Sequence, residues 1–272
     1  MSEEYEIAKV SALLEILNSN APNIQLSKRT IDGMAEAFVP TIAIGSTIGA
    51  ENAQGDYDMI PDPNNLKAAA GEMEKYFSGI TPNDTKDIVA GIFRVGGQTE
   101  QMYANNEAPE KAAHYIAVAF NKTENELIIT DPLGSPDKVN DSYKEEINAI
   151  KEGFKKKFGD CEISINPKET TIFQGDTHSC GPVCLYNLER QLEKKHHTTH
   201  NVPTPQDLGI KVIDGILIAP KGADAIRRNQ QDLLDFQRAK EESFKSQEHE
   251  QKAILQQIKE SNVNKHNEEF LI

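Results

Sequence analysis

Four side chains in the middle of the chain are of the types that together attack a carbonyl carbon. A thiol attacks well only as a thiolate, and an ordinary cysteine is mostly protonated at neutral pH. An imidazole can take the proton, a carboxylate can orient the imidazole, and an amide can donate to the developing oxyanion. In chain order these groups are His114, Asp131, Gln174 and Cys180. We predict that they form one nucleophilic site, with Cys180 as the nucleophile.

Two of these residues are expected at the same edge of a sheet. Three β-rich apolar runs are predicted as strands: IVAGIFRV (88–95), HYIAVAF (114–120) and NELIITD (125–131). The second and third runs are so close that a hairpin turning through residues 121–125 is the natural interpretation. His114 begins one strand of this hairpin and Asp131 ends the other, so the two side chains are predicted to lie close together.

A helix is predicted to begin at the cysteine itself. The segment CGPVCLYNLERQLEKK (180–195) has helical spacing of its apolar residues, and Pro182 is tolerated in a first turn. A helix N-terminus places partial positive charge beside the sulfur of Cys180. Gln174 lies six residues earlier, in a predicted loop, from which it can donate to an oxyanion beside the Cys180 N–H.

The remaining elements are predicted from the same patterns. Apolar residues from Tyr143 to Phe158 recur at helical steps, with Asp141 as the expected cap, and CEISIN (161–166) is typical of a strand. Further helices are expected over residues 2–18 and 66–77. After Pro220 the pattern favours a long, largely solvated helix or a partly ordered tail.

Length and composition limit the class of protein. The 272 residues are 38% hydrophobic, which suffices for one large domain with appendages. We expect no membrane association, because no apolar run approaches the ~20 residues of a membrane span and the N-terminus lacks a secretory pattern. Three cysteines are too few for a disulfide framework, so reduced thiols and a cytoplasmic location are expected.

The charge argues against a nucleic-acid partner. The net charge is −14, and residues 1–110 contain 17 Asp and Glu against 7 Lys and Arg. An acidic front half repels a phosphate backbone, whereas a basic protein partner suits it better. Acidity alone is also a common device for solubility, so this observation does not choose a partner.

Each residue of the predicted site also has an ordinary structural interpretation. Cys180 alone would be a buried core thiol, Asp131 in DPLG a turn residue, and Gln174 a polar loop residue. Cys161 and Cys184 are interpreted as packing residues. The spacing of His178, Cys180 and Cys184 is not usual for zinc, and KKHHTTH (194–200) is interpreted as a solvated helix end. We therefore expect no metal site and no cofactor.

The ordered set His114-Tyr115, Asp131 and QGDTHSCG (174–181) resembles the ubiquitin-like-protein proteases of clan CE. These include the SUMO and NEDD8 proteases, the adenovirus protease and bacterial effector deubiquitinases. The order of the residues, their gaps of 17, 43 and 6 positions and the intervening elements agree with that family over roughly residues 85–200.

The resemblance implies a fold and a set of roles. The fold would be the α+β clan CE (adenain-like) cysteine-protease fold, a mixed central sheet flanked by helices. Cys180 would be the nucleophile, His114 the general base, Asp131 its orienter and Gln174 the oxyanion-hole donor. Substrate would contact Tyr115, in the place of the family's usual Trp, together with two residues that flank the nucleophile, Ser179 and Gly181.

The resemblance also implies the partner and the organisation of the chain. Ubiquitin or a ubiquitin-like protein such as SUMO or NEDD8 would be cleaved after its C-terminal glycine, by residues 63–220 as catalytic core. Residues 1–62 and 221–272 would be N- and C-terminal extensions, and an unfamiliar flank on each side favours a bacterial effector that acts in a host's cytosol. The alternative is an acetyltransferase of the related YopJ type, in which a Pro after the acid, here Pro132, is familiar.

Overall fold

The computed structural model describes most of the middle of the chain. The described residues are 31, 34, 43–44, 88–96, 105, 112–193, 201–220, 223–236, 238–239 and 243. The helices predicted over 2–18 and 66–77 and the segment 194–200 lie outside the described residues. In the described part, no helix has both the length and the apolar character needed to cross a membrane.

A five-stranded mixed sheet forms the centre of the described structure. Its strands are β1 (Ala43–Ile44), β2 (Ile88–Val95), β3 (His114–Asn121), β4 (Glu126–Thr130) and β5 (Glu162–Ile165). They lie side by side in chain order. The β2, β3 and β4 strands are antiparallel to one another, while β1 and β5 run parallel to their neighbours. The predicted hairpin of β3 and β4 is confirmed.

A second, three-stranded sheet lies after the first in the chain. It consists of β6 (Ile172–Phe173), β7 (Lys211–Ile213) and β8 (Ile216–Ile218), in the order β6-β8-β7. The short strand β6 ends directly before Gln174. The Ala219 N–H donates to the Phe173 carbonyl, so the start of the loop between Gln174 and Cys180 is held by this sheet.

Three helices pack on the sheets of the described part. They are α1 (Lys144–Phe158), α2 (Cys180–Glu193) and α3 (residues 224–236). The helix predicted to begin at the cysteine is confirmed. The predicted cap of α1 was wrong, because the chain first forms a 3₁₀ turn over Asp141–Tyr143 and Asn140 Oδ1 caps it by accepting from the Ser142 N–H.

Helices cover the central sheet on both faces. One layer of apolar side chains lies between the sheet and α1 and includes Ile116, Val118 and Phe154. The other layer lies under α2 and includes Ala117 and Leu185. Alternate residues of β3 therefore enter two cores, which explains why the strand is a nearly continuous apolar run rather than an alternating one.

The segment after Pro220 is part of the fold over residues 223–234. Ala223, Ile226 and Leu234 are each at most 1% exposed and belong to the apolar clusters that contain residues of α2. The expectation of a largely solvated helix was wrong for this stretch, because these residues, at steps of three and eight positions, lie on one packed face. The division of the chain at residues 62 and 220 stays a prediction.

Candidate active site

A buried histidine–aspartate pair lies at the end of the central sheet. His114 Nε2 and Asp131 Oδ1 are 2.7 Å apart, and both side chains are fully buried. The hairpin accounts for this contact, because the start of β3 and the end of β4 meet at one edge. With Nε2 donating its proton to the carboxylate, Nδ1 is the ring nitrogen left to accept one.

The Asp131 carboxylate is fixed by backbone donors of the loop that follows it. Oδ1 also accepts from the Leu133 N–H at 3.0 Å, and Oδ2 accepts from the Asn140 N–H at 2.7 Å. The proline after the aspartate has no N–H, so the first donor in the loop is Leu133. These bonds fix the direction of the carboxylate that orients His114.

Asn166 fixes the backbone of the same loop from the end of β5. Its side-chain oxygen accepts from the Asp131 N–H at 2.6 Å, and its Nδ2 donates to the carbonyls of Ser135 and Lys138. The residue is fully buried and has a φ of 44°, a conformation that asparagine tolerates better than most residues. Gly134 permits this contact, because a Cβ at that position would collide with the Asn166 amide.

An aromatic ring packs on the histidine. The ring centroids of His114 and Tyr143 are 4.9 Å apart at an angle of 31°, and the Tyr143 hydroxyl donates to the Ala112 carbonyl at 2.8 Å. Burial, with the nearby charges of Cys180 and Asp131, raises the pKa of Tyr143 to about 12, so the hydroxyl stays protonated. The contact holds the imidazole plane and favours its cationic form.

Cys180 is in electrostatic contact with the histidine. Burial of the ring would lower the pKa of His114, but the hydrogen bonds with Asp131 and Cys180 and the charges of both raise it to about 9. A histidine with this pKa is protonated at neutral pH beside the thiol. A cationic imidazole beside a thiol is the arrangement that nucleophilic cysteines use.

The first turn of α2 presents the predicted nucleophile. Val183 N–H donates to the Ser179 carbonyl at 3.1 Å, which makes Ser179 the residue before the first turn and Cys180 the first helical residue. Pro182 lies within that turn, where its missing N–H breaks no helical bond. Cys180 is 1% exposed, so only a slender part of a substrate can approach its sulfur.

The loop between Gln174 and Cys180 is closed by hydrogen bonds to Asp176. The Asp176 carboxylate accepts from the backbone N–H of His178 and Ser179 and from the Ser179 hydroxyl, each at 2.8 Å. The Gln174 side-chain amide donates from Nε2 to the Asp176 carbonyl at 2.5 Å. Gln174 N–H in turn donates to the Pro132 carbonyl at 3.0 Å, which joins the oxyanion side of the site to the loop that carries Asp131.

Helix α2 also holds the strand that leads into this loop. The buried Asn187 accepts from the Ile172 N–H at 2.8 Å and donates to the Ile172 carbonyl at 2.9 Å. An asparagine amide thereby replaces a neighbouring strand at β6. As a result, Gln174 and Cys180 are attached to one rigid unit, although six residues of loop separate them.

The structure places the residues predicted to contact substrate around the head of α2. Tyr115 is 1% exposed and packs against Gly181. A Cβ at Gly181 would lie 2.7 Å from Ile31 Cδ1 and 3.3 Å from Tyr115 Cδ2, which explains the glycine. In this structure the Tyr115 ring supports the first turn of α2, and the Ser179 hydroxyl is engaged by Asp176. Their contact with substrate stays a prediction.

The other two cysteines differ from Cys180 in their surroundings. Cys184 is buried and donates from Sγ to the Tyr115 carbonyl at 3.1 Å, and burial raises its pKa well above the usual value. Burial also raises the pKa of Cys161, which packs beside the α1 layer. Within the described ranges, no group of three or more His, Cys, Asp or Glu side chains is arranged to hold a metal ion.

Sequence reasoning missed the residues that position the predicted set. Tyr143 was assigned only to the apolar face of a helix, and Asn140, Asn166 and Asn187 carried no predicted role. Asn166 accepts from the Asp131 N–H across 35 positions of sequence, and Asn187 accepts from the Ile172 N–H across 15 positions. A buried asparagine gives no periodic signal, but Asp176 two residues after Gln174 is typical of a local side-chain turn and could have been noticed.

The fold and the site together define a class. An α+β fold in which a buried histidine and aspartate face a cysteine at a helix N-terminus is the clan CE cysteine-protease fold, as the resemblance implied. A comparison with curated proteins found no match.

The comparison with protein families gives the more particular assignment. The family model for the adenovirus endoprotease matches residues 101–259, more than half of the 272 residues. The chain belongs to the adenovirus endoprotease family and is a cysteine protease of clan CE. The matched range includes all four predicted site residues and extends through α3.

Proposed function

We propose that this cysteine protease cleaves after the C-terminal glycine of ubiquitin or a ubiquitin-like protein. The observation that carries the proposal is the buried His114–Asp131 pair that faces Cys180 at the head of α2. The order of the site residues, which resembles that of the SUMO and NEDD8 proteases, supports the choice of substrate.

His114 activates the nucleophile. Its Nδ1 takes the thiol proton of Cys180, while Nε2 donates to Asp131, so the carboxylate fixes the tautomer and stabilises the imidazolium. The thiolate attacks the glycine carbonyl. Because the imidazolium then holds the proton, it can return that proton to the leaving amine.

Two donors stabilise the oxyanion of the tetrahedral intermediate. They are proposed to be the backbone N–H of Cys180 and one N–H of the Gln174 amide, whose orientation is set by the bond to the Asp176 carbonyl. After the amine leaves, water attacks the thioester and the same two donors serve again. Such donors contribute most when they are fixed before the reaction begins.

Burial of the nucleophile supports a glycine-terminated substrate. The sulfur lies in a residue that is 1% exposed, next to Ser179 and Gly181, which are also buried. A polypeptide without side chains is thin enough to reach such a sulfur, whereas a branched residue would collide with its surroundings. The flexible glycine tail of a ubiquitin-like modifier has this property.

The partner's globular body would lie on the parts of the chain outside the catalytic core. Residues 1–62 and 221–272 are proposed to supply that surface, because the acidic N-terminal region suits a basic modifier tail. A cytoplasmic location is proposed because three cysteines are too few for a disulfide framework, and the unfamiliar flanks of the core favour the cytosol of a host cell. The family match to a peptidase supports hydrolysis over acetyl transfer.

Activity-based probes test the substrate assignment. Ubiquitin, SUMO and NEDD8, each with an electrophile in place of the C-terminal carboxylate, are incubated with the wild-type chain and with Cys180→Ala. We expect one probe to form a covalent adduct with the wild-type chain at Cys180 and none to react with the variant. If iodoacetamide alkylates Cys180 but all three probes fail to react, the substrate assignment is wrong.

A further inference from the structure

One carboxylate organises the loop between the two predicted oxyanion donors. Asp176 lies between Gln174 and Cys180, and its side chain is 3% exposed. Oδ1 accepts from two successive backbone N–H groups, those of His178 and Ser179, and Oδ2 accepts from the Ser179 hydroxyl. These three bonds fix the direction of the backbone directly before Cys180, and with it the direction of the Cys180 N–H.

The backbone of the same residue orients the other donor. Gln174 has two N–H groups on Nε2, and one of them donates to the Asp176 carbonyl. The opposite orientation of the amide would place Oε1 against that carbonyl oxygen, where the two oxygens would repel each other. The bond therefore fixes Nε2, and not Oε1, on the side of the Asp176 carbonyl. The second N–H is then held in a fixed direction.

A histidine and an arginine lie near the carboxylate. His178 Nδ1 is 3.6 Å from Asp176 Oδ1. Arg227, on α3, is close enough to Asp176 for the charge of the carboxylate to affect the pKa of the guanidinium. Burial lowers the pKa of Arg227, and the charges of Asp176, Asp224 and Cys180 oppose that change. Helix α3 also contacts the first turn of α2, where the Gln230 amide donates to the Pro182 carbonyl at 3.1 Å.

We propose that Asp176 is a positioning residue for the oxyanion hole, through which the Gln174 amide and the Cys180 N–H are aimed at one point. It acts through those two residues and touches neither the substrate nor the sulfur. The inference rests on the roles of Cys180 and Gln174 in the proposed function. Oxyanion stabilisation requires donors whose direction is fixed, and the Asp176 carboxylate fixes the backbone that carries one of them.

Two substitutions at this position separate its bonds. Asp176→Ala removes all three side-chain acceptors, whereas Asp176→Asn keeps one oxygen for the N–H groups of His178 and Ser179. We expect Asp176→Ala to lower kcat by roughly tenfold to a hundredfold with KM within about twofold, because an oxyanion exists only near the transition state. Asp176→Asn is expected to recover most of kcat.

The chain offers a matched control. The exposed Asp207 makes bonds of the same kind, accepting from the Thr204 N–H at 2.9 Å and from the Thr204 hydroxyl at 2.7 Å. Asp207→Ala should leave kcat unchanged, which shows that loss of a loop carboxylate is not harmful by itself. If Asp176→Ala does not fold, Ser179→Ala removes one bond alone and should lower kcat a few-fold.

The measurement is kcat and KM of the full chain on a peptide that ends in Gly-Gly with a fluorescent amine as leaving group. The second substrate is p-nitrophenyl acetate, which transfers its acetyl group to the thiolate without needing a recognised protein. In the Gln174→Ala background, Asp176→Ala should still lower kcat, because the carboxylate fixes the direction of the Cys180 N–H, a donor that Gln174→Ala leaves in place. Wild-type kcat in a folded Asp176→Ala overturns the inference.

The outcomes also distinguish the inference from the proposed function. If Cys180→Ala keeps its activity on either substrate, the site assignment fails. If the wild-type chain turns over only the ester, the proposed glycine-terminated substrate is wrong. The role of Asp176 is then tested by kcat on the ester. If Cys180→Ala is inactive while Asp176→Ala equals the wild type, only the inference about Asp176 fails.

Discussion

His114 has a different task at each of its ring nitrogens. Nε2 is held by Asp131 at 2.7 Å, and the ring packs at a tilt against Tyr143, so its rotation is restricted from two sides. Nδ1 is the nitrogen that the proposed mechanism uses to accept the thiol proton. The group is buried, yet the combined effect of Asp131 and Cys180 raises its pKa to about 9, because burial alone is outweighed by two acidic neighbours.

The raised pKa predicts the alkaline limit of activity. Above about pH 9, His114 loses its proton in the folded enzyme, and the imidazolium that protonates the leaving amine in the proposed mechanism is no longer present. A plot of kcat/KM against pH should therefore fall with an apparent pKa near 9. A limb that falls near the ordinary histidine value of about 6.5 would contradict this account.

The same shift predicts how stability depends on pH. The folded pKa of about 9 lies above the unfolded value of about 6.5, so the stabilisation is complete below pH 6.5 and is lost as the pH rises through 9. Cys180→Ala removes one of the groups that raise the pKa. Its pH-dependent loss of stability should therefore be smaller and should end at a lower pH than in the wild type, as measured by urea unfolding across pH 6 to 10.

At the scale of elements, the strands and the catalytic helix could be predicted because their sequences carry strong local signals. Residues 88–95 and 114–120 are apolar on both faces, and Pro182 marks the first turn of α2. The predicted convergence of His114 with Asp131 followed from hairpin geometry alone. The loop bonds to Asp131 could not be predicted, because Asn166 contacts it from 35 positions away and no repeat marks the residue.

Asn166 is expected to be a major stabilising residue of the Asp131 loop. Asn166→Ala leaves the Asp131 N–H and the carbonyls of Ser135 and Lys138 without their buried partner, at a cost of about 2–4 kcal/mol in the free energy of unfolding. The control is Asn125→Ala. Asn125 also has positive φ, at 52°, but it is exposed and makes a single side-chain donation to the Asp160 carbonyl.

Urea unfolding of both variants tests this expectation. A loss for Asn166→Ala that clearly exceeds the loss for Asn125→Ala supports a buried clamp on the loop. Equal losses would show that the positive φ accounts for the effect, and the assignment of the clamp would be wrong.

At the scale of the whole molecule, the chain is held together around α2. The helix contacts the central sheet on one side, β6 through Asn187, and α3 through Pro182. The sequence did not predict the last of these contacts, because residues 221–272 combine few large apolar residues with many charges. Only when the fold is known does the spacing of Ile226 and Leu234 appear as a buried face.

The packing of α3 predicts that part of the C-terminal segment is needed for stability. Leu234 is fully buried in the cluster that contains Cys180, and Leu234→Ala should cost about 2–5 kcal/mol through the cavity it leaves. Phe236, two residues later, is 68% exposed, and Phe236→Ala should cost less than about 0.5 kcal/mol. Thermal unfolding of the two variants compares them directly, and equal melting temperatures would contradict the packing of this helix.

The most direct measurement compares the two cysteines of α2, which lie one helical turn apart. Cys180 faces His114, whereas Cys184 donates to the Tyr115 carbonyl within the core, a bond that Cys184→Ser can keep. The rate of peptide hydrolysis is measured for Cys180→Ala and Cys184→Ser, with circular dichroism to show that both are folded. We expect Cys180→Ala to lose all detectable turnover and Cys184→Ser to retain most of it. Full turnover by folded Cys180→Ala would show that the chemistry belongs to another residue.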